Sequence, residues 1–262
     1  GTLSISSDSK LGAVPGASTP SHLVLNGGTL AYNGSDALNA NRGISLGSNG
    51  GTINVTNGLS YGGVIANASG AVGSLTKSGT GTLTLSGNNT YSGTTTIIGG
   101  TLQIGDGDAS GSLLSNSIIN NAALSFNRSD PYNYGGSISG TGILTKAGVG
   151  TLTLSGNNTY SGTTTISGGM LQIGAGGTSG SLTSSSIINN AGLNFNRSND
   201  LTYAGTISGS GTFTKSGTGT LTFSGNNTYS GTTTISGGTL QIGAGDASGS
   251  LLSNSIINNA AL

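Results

Sequence analysis

One histidine, seven aspartates, four lysines and three arginines are all that this chain of 262 residues brings to acid–base or metal chemistry; cysteine and glutamate are absent. The histidine, His22, stands shortly after Pro20. The carboxylates of Asp8, Asp36, Asp106, Asp108, Asp130, Asp200 and Asp246 are spread along the chain, and only Asp106 and Asp108 are close neighbours. An active site needs titratable groups that converge. No residue is assigned a catalytic or cofactor-binding role on this pattern, and a non-enzymatic protein is the expectation. An enzyme would need a cleft that brings His22 to two of the aspartates. The segment 105–111, GDGDASG, has the Gly/Asp flavour of calcium-binding turns, and stacked turns would offer the oxygen ligands calcium prefers. Its counterparts read GAGGTSG at 174–180 and GAGDASG at 243–249, so the acids do not recur from copy to copy. A solvated turn, with no metal, is the expected reading.

Other polar residues do recur. Lys77, Lys146 and Lys215 follow one another at a constant interval, and Tyr91, Tyr160 and Tyr229 keep the same interval. Both sets are candidates for ladders of surface contacts. The tyrosines could stack on carbohydrate, although a tyrosine after Asn-Asn-Thr more often packs its ring over a corner. The lysines could bind a ligand, cover turn carbonyls or discourage lateral strand pairing. Arg128 with Asp130, and Arg197 with Asp200, suggest local ion pairs of small worth if exposed. Outward threonines such as Thr82, Thr84, Thr94, Thr96 and Thr101 would suit ice binding only if they aligned in coil after coil, and threonine also favours exposed strands for its own reasons.

The elements that must position these residues are strands. Glycine makes up 51 residues and charge only 5% of the chain, and Leu, Ile and Thr alternate. Low charge with such alternation points to a folded β protein, since disordered segments combine high charge with few β-branched residues. In Gly81–Gly87, GTLTLSG, Leu83 and Leu85 share one face and Thr82 and Thr84 the other, as a half-buried strand requires. TLQI at 101–104 repeats the pattern, and Gly-Gly or Asn-Asn pairs punctuate it. The segment Gly12–Ser21, with Pro15 and Pro20, reads as an excursion. No apolar run nears the ~18 residues needed to span a bilayer, and no helical periodicity is present. Net charge is zero and the basic residues are scattered, so the chain carries no electrostatic footprint for nucleic acid or anionic membrane.

The string LTKSGTGTLTLSGNNTYSGTTTIIGGTLQI at 75–104 recurs at 144–173 and 213–242. Close repetition of this kind, in units of ~69 residues, means stacked units. The organisation is a divergent segment 1–74, repeats 75–143 and 144–212, and an incomplete repeat 213–262, expected to form one continuous parallel β-solenoid. A propeller blade would run to about 40–50 residues with its own signature dipeptides, and this unit is longer and lacks them. About three coils of roughly 23 residues per repeat, at ~4.8 Å per coil, would make a rod of about eleven coils and about 55 Å. Leu262 aligns in mid-unit with Leu124 and Leu193, which leads to the expectation of a longer natural chain or of association through open ends.

The recurring string resembles the passenger-associated transport repeat, or autotransporter-associated β-strand repeat, of bacterial autotransporters. The GxISGxGxL segments before Leu144 and Phe213 are similar to its usual lead-in. The resemblance implies a right-handed parallel β-helix on the outside of a bacterial cell, where the repeat is associated with secretion and folding of the passenger. The resulting expectation is a structural stalk or fibre segment of an extracellular adhesin or filament, with further copies of itself or a ligand on a host or neighbouring cell as partners. The alternative is a ligand-binding solenoid, for carbohydrate or ice, using repeated surface Tyr or Thr.

Overall fold

A computed structural model describes residues 1–245 and 248–260. Two expectations, on Asp246 and on Leu262, concern residues outside this set. The chain divides into two compact units, Gly1–Arg128 and Ser129–Leu262. Each is a parallel β-solenoid in which short strands pair in register with a strand about one coil away. Among the described residues the only helix is a single 3-10 turn, Asp8–Leu11.

In the first unit one ladder stacks Thr2–Ile5, Gly28–Tyr32, Gly51–Val55, Leu75–Ser78, Thr95–Ile97 and Ser117–Asn120. A second stacks Ala37–Leu38, Gly58–Tyr61, Thr82–Leu85, Thr101–Ile104 and Ala123–Phe126. A third side holds Thr19–Leu25, Arg42–Leu46 and Ile65–Asn67, and the short pair Asn88–Asn89 with Ser112–Leu113. The Asn-Asn segment is thus a bridge between coils, where a turn was expected. The alternation holds throughout: Leu83 pairs with Leu59 and Leu102, and Leu102 with Leu124, all facing inward and buried.

The second unit shows how the repeat relates to the coil. One ladder contains Tyr132–Tyr134, Thr151–Leu154, Met170–Ile173, Gly192–Phe195, Thr212–Lys215, Thr233–Ile235 and Ile256–Asn258. Another contains Ile143–Lys146, Thr164–Ile166, Ser186–Asn189 and Thr206–Ser208. Leu201–Tyr203, Thr220–Phe223 and Thr239–Ile242 form a third. Equivalent strands of the two copies fall in different ladders. Thr151–Leu154 lies in the first, and its counterpart Thr220–Phe223 in the third; Ile143–Lys146 lies in the second, and its counterpart Thr212–Lys215 in the first. The cause is arithmetic. From Ile143–Lys146 to Thr206–Ser208 the repeat supplies ten strands, and ten is not a multiple of three. Leu144 pairs with Thr164, Thr164 lies level with Ile187, and Ile187 pairs with Ile207, so successive coils differ slightly in length. A coil therefore uses roughly 21 residues, at the short end for a solenoid repeat, where roughly 23 were expected. One repeat then makes about three and a third coils instead of three.

Burial holds these stacks together. Leu152, Leu171, Leu193 and Phe213 form one continuous inner column, each nearly fully buried. Phe213 also packs against Phe223 and Tyr229 with ring centroids 5.0 and 6.0 Å apart. Glycine serves two purposes here. Gly169 and Gly238 turn corners at φ of 60° and 63°. Gly156 and Gly225 have ordinary backbone angles, but a Cβ on either would run into the carbonyl oxygen of Gly136 or Gly205 in the coil before.

Leu171→Ala should lower unfolding free energy by about 2–5 kcal/mol, because it leaves a cavity in a packed column. Thr165→Ala, on the outer side, should stay within about 0.5 kcal/mol. Urea denaturation followed by far-UV circular dichroism distinguishes the two, and equal effects would contradict the inside–outside assignment.

Candidate functional site

The recurring lysines and tyrosines, expected as surface ladders, are inside. Lys77, Lys146 and Lys215 are at most 2% exposed, and Tyr91, Tyr160 and Tyr229 are fully buried. The reason is the period of the strand. Lys77 and Leu75 are next-but-one neighbours on one strand, so both side chains point to the same, inner side. Its stem lies in the column between Ile53 and Ile97. Its ammonium ends at a corner and donates to the carbonyls of Ser78 (2.7 Å), Gly79 (3.0 Å) and Gly99 (3.0 Å). The first two belong to its own turn and the third to the turn one coil on. Lys146 repeats the clamp on Gly148 and Gly168, and Lys215 on Gly217 and Gly237. Covering turn carbonyls is therefore what the lysines do, from within. Burial pushes the Lys77 and Lys146 ammonium groups from an ordinary value of 10.5 down to about 8, and lowers Lys215 in the same direction.

Each tyrosine hydroxyl is hydrogen-bonded to the inward hydroxyl of a nearby threonine: Tyr91 to Thr95 at 2.7 Å, Tyr160 to Thr164 at 2.6 Å and Tyr229 to Thr233 at 2.6 Å. Burial raises the Tyr160 phenol far above its usual range and Tyr229 to about 12. These rings present no platform for a sugar.

Buried asparagines bind three coils together. Asn158 Oδ1 accepts from the Ile138 amide at 3.0 Å in the coil before. Its Nδ2 donates to Gly156 O at 2.8 Å and to Ser181 O at 3.0 Å in the coil after. Asn89 and Asn227 make the same three bonds in their own surroundings. The arginines brace protruding loops. Arg128 donates to the carbonyls of Ala109 and Gly111, and Arg197 to those of Thr178 and Gly180. Arg197 also bonds Asn199, while Asp200 accepts from the Thr220 amide, so the expected Arg197–Asp200 pair is replaced by these contacts.

His22 and Asp8 meet through a third residue. Arg42 is fully buried and forms an ion pair with Asp8 at 2.8 Å. It also donates to Gly12 O at 2.7 Å and contacts His22 Nε2 at 2.9 Å. Sequence reading missed this hub; the lone arginine of the strand RGISL, beside the excursion it holds, was the available signal. Burial alone would raise the Asp8 carboxyl, but hydrogen bonds from Arg42 and the Asn39 amide hold it below its usual value. Asp108 caps its own turn by accepting from Ser110, which lowers its pKa. Among the described residues no three His, Cys, Asp or Glu side chains gather in a group that could hold a metal, and no helix is long and apolar enough to cross a membrane.

The family model for the passenger-associated-transport-repeat matches residues 75–104, 144–173 and 213–242. Over 80 residues, 30% of this chain, the sequence is 46% identical to the adhesin BmaC autotransporter of Brucella suis biovar 1 (strain 1330). That stretch is 2% of the adhesin's length. No solved structure matches the chain.

The lysine clamps give the stability a definite pH dependence. A cation whose pKa is lower folded than unfolded binds fewer protons in the native state, so stability rises with pH between the two values. The melting temperature should climb from pH 8 toward pH 10 and then fall as tyrosines ionise in the unfolded chain. The variant Lys77→Met/Lys146→Met/Lys215→Met should lose most of that climb in a calorimetric pH series. An unchanged climb in the variant would remove the lysines as its cause.

Proposed function

We propose that this chain, an autotransporter passenger sequence with three passenger-associated transport repeats, is a non-enzymatic stalk or fibre segment of a secreted, cell-surface adhesin. The similarity to an autotransporter adhesin supports the surface passenger role. The stalk reading rests on one observation: the recurring polar residues that could have formed a ligand site are taken up in holding coil to coil. Lys77, Tyr91, Asn89 and their counterparts have their polar atoms turned to neighbouring backbone or hydroxyl groups inside the stack. What the repeat then contributes is length, stiffness and a backbone ladder that extends one coil at a time. Partners on this reading are further copies of the chain, side by side or end to end, and a ligand on a host or neighbouring cell.

A second reading has one observation in its favour. In the first unit Thr2, Thr29, Thr52, Thr76 and Thr96 stack in an outward column, each paired with the next. The flanking column reads Ser4, Ala31, Asn54 and Ser78. A flat hydroxyl-and-methyl face of this kind is the form an ice- or carbohydrate-binding solenoid would take. Thermal hysteresis in the purified protein would favour it over the stalk.

The stalk reading makes a length prediction. Inserting one more copy of residues 144–212 should add about 16 Å to the maximum dimension in small-angle scattering, from three and a third coils at ~4.8 Å each. Compaction or an unchanged dimension would count against it.

A further inference from the structure

The chain is formally neutral, yet its charges are sorted by sign. Of the seven lysines and arginines, Arg42, Lys77, Arg128, Lys146, Arg197 and Lys215 are buried, none more than 9% exposed. Among the described residues Lys10 is the one exposed member of the set. In the second unit every lysine and arginine is buried. The carboxylates lean the other way: among the described residues Asp36, Asp106, Asp108 and Asp200 are exposed, and Asp8, paired with Arg42, and Asp130 are half-buried. The sorting has a local cause. Corners leave carbonyl oxygens without strand partners, and a cation with several N–H donors satisfies them. A neutral donor could do the same, as Asn158 does at its own corner. Using lysine and arginine instead removes from the surface the groups that contact phosphate.

We propose that this surface is built to stay off anionic, phosphate-bearing membrane surfaces, so that the segment stands clear of the bilayer beside it. This deepens the stalk reading and rests on it for its biological sense. Adsorption to an anionic leaflet depends on lysine and arginine side chains within a Debye length of the headgroups, roughly 8 Å at physiological salt. Cations folded inward and bonded to backbone carbonyls cannot reach phosphates without unfolding a corner. Apart from Lys10 in the first unit, what the surface offers to headgroups is threonine, serine, asparagine and a few carboxylates. A single exposed cation gives little attraction at contact range, and the carboxylates add a weak repulsion.

The test is sedimentation of the full chain at low salt with vesicles of phosphatidylcholine and phosphatidylglycerol in a seven-to-three ratio. The wild-type protein should partition as it does with phosphatidylcholine alone. The variant Thr153→Lys/Thr214→Lys/Thr234→Lys places three cations along one ladder of the second unit, all at outward positions. It should bind the anionic vesicles more tightly by on the order of 100-fold, and release in high salt. Salt-reversible binding of the wild type overturns the proposal. So does a folded lysine variant that binds no better than wild type. A second measurement needs no variant. At pH 6 and low salt the native protein should pass unretained through a sulfonate cation-exchange column. Retention of the native protein overturns the proposal as well. Neither result depends on the length of the molecule, so failure here is separable from failure of the stalk reading.

Discussion

Everything in this molecule follows from the parallel backbone ladder between each strand and the strand one coil away. A solenoid has no second layer to pack against, so its core is only the inside of its own coil. Each coil must therefore return the chain to the same hydrogen-bonding register. The pairing of Leu144, Thr164, Ile187 and Ile207 shows the tolerance: shorter and longer coils both close, because loops absorb the difference and strands do not. The Arg128 and Arg197 braces sit at two such loops, Gly105–Gly111 and Gly174–Gly180, and tie them down by their carbonyls.

The corners are where this architecture is hardest to stabilise, because the backbone turns away from its ladder and leaves polar groups without partners. The chain answers with side chains drawn from the interior. Asn158 serves three coils at once, and Lys146 two turns. Where no side chain fits, none is present: Gly156 and Gly225 let one coil's backbone lie directly on the carbonyl of another. The Lys, Asn and Gly positions of the repeat are thus one solution to one problem, the unsatisfied corner. Their recurrence needs no ligand to explain it.

The mismatch between ten strands per repeat and three per coil has a structural consequence. The sequence TLTL sits in one ladder in the second repeat, and its counterpart TLTF in another in the third. Each turns its apolar residues inward within its own ladder and is followed by an asparagine bridge of the same form, Asn158 and Asn227. The ladders must then be close to interchangeable in geometry, since one sequence is at home in more than one of them. A feature that recurs once per repeat turns to a new ladder with each copy in the second unit and builds no straight row. Rows that are straight, such as Thr2 to Thr96, come from residues at unrelated positions of the repeat and the divergent segment.

The residues by themselves determined the strand class, the alternation that puts Leu83 and Leu85 inside and the tandem unit. All of these are local or are read by comparing the chain with itself. Tertiary structure alone decided the coil length and the ladder each strand joins, because both depend on pairing between residues a whole coil apart, which local pattern does not encode. It also decided the fate of the polar residues. The inward direction of Lys77 was implicit in its spacing from Leu75, but charge made an outward lysine the natural reading. Only the carbonyls of Ser78, Gly79 and Gly99, gathered from two coils, show why a cation is stable there. Arg42 was obscured because its partners Asp8 and Gly12 become neighbours only once the coils are wound, whereas the partner of Tyr91, Thr95, stands close by in the sequence and only the inward direction of both had to be found.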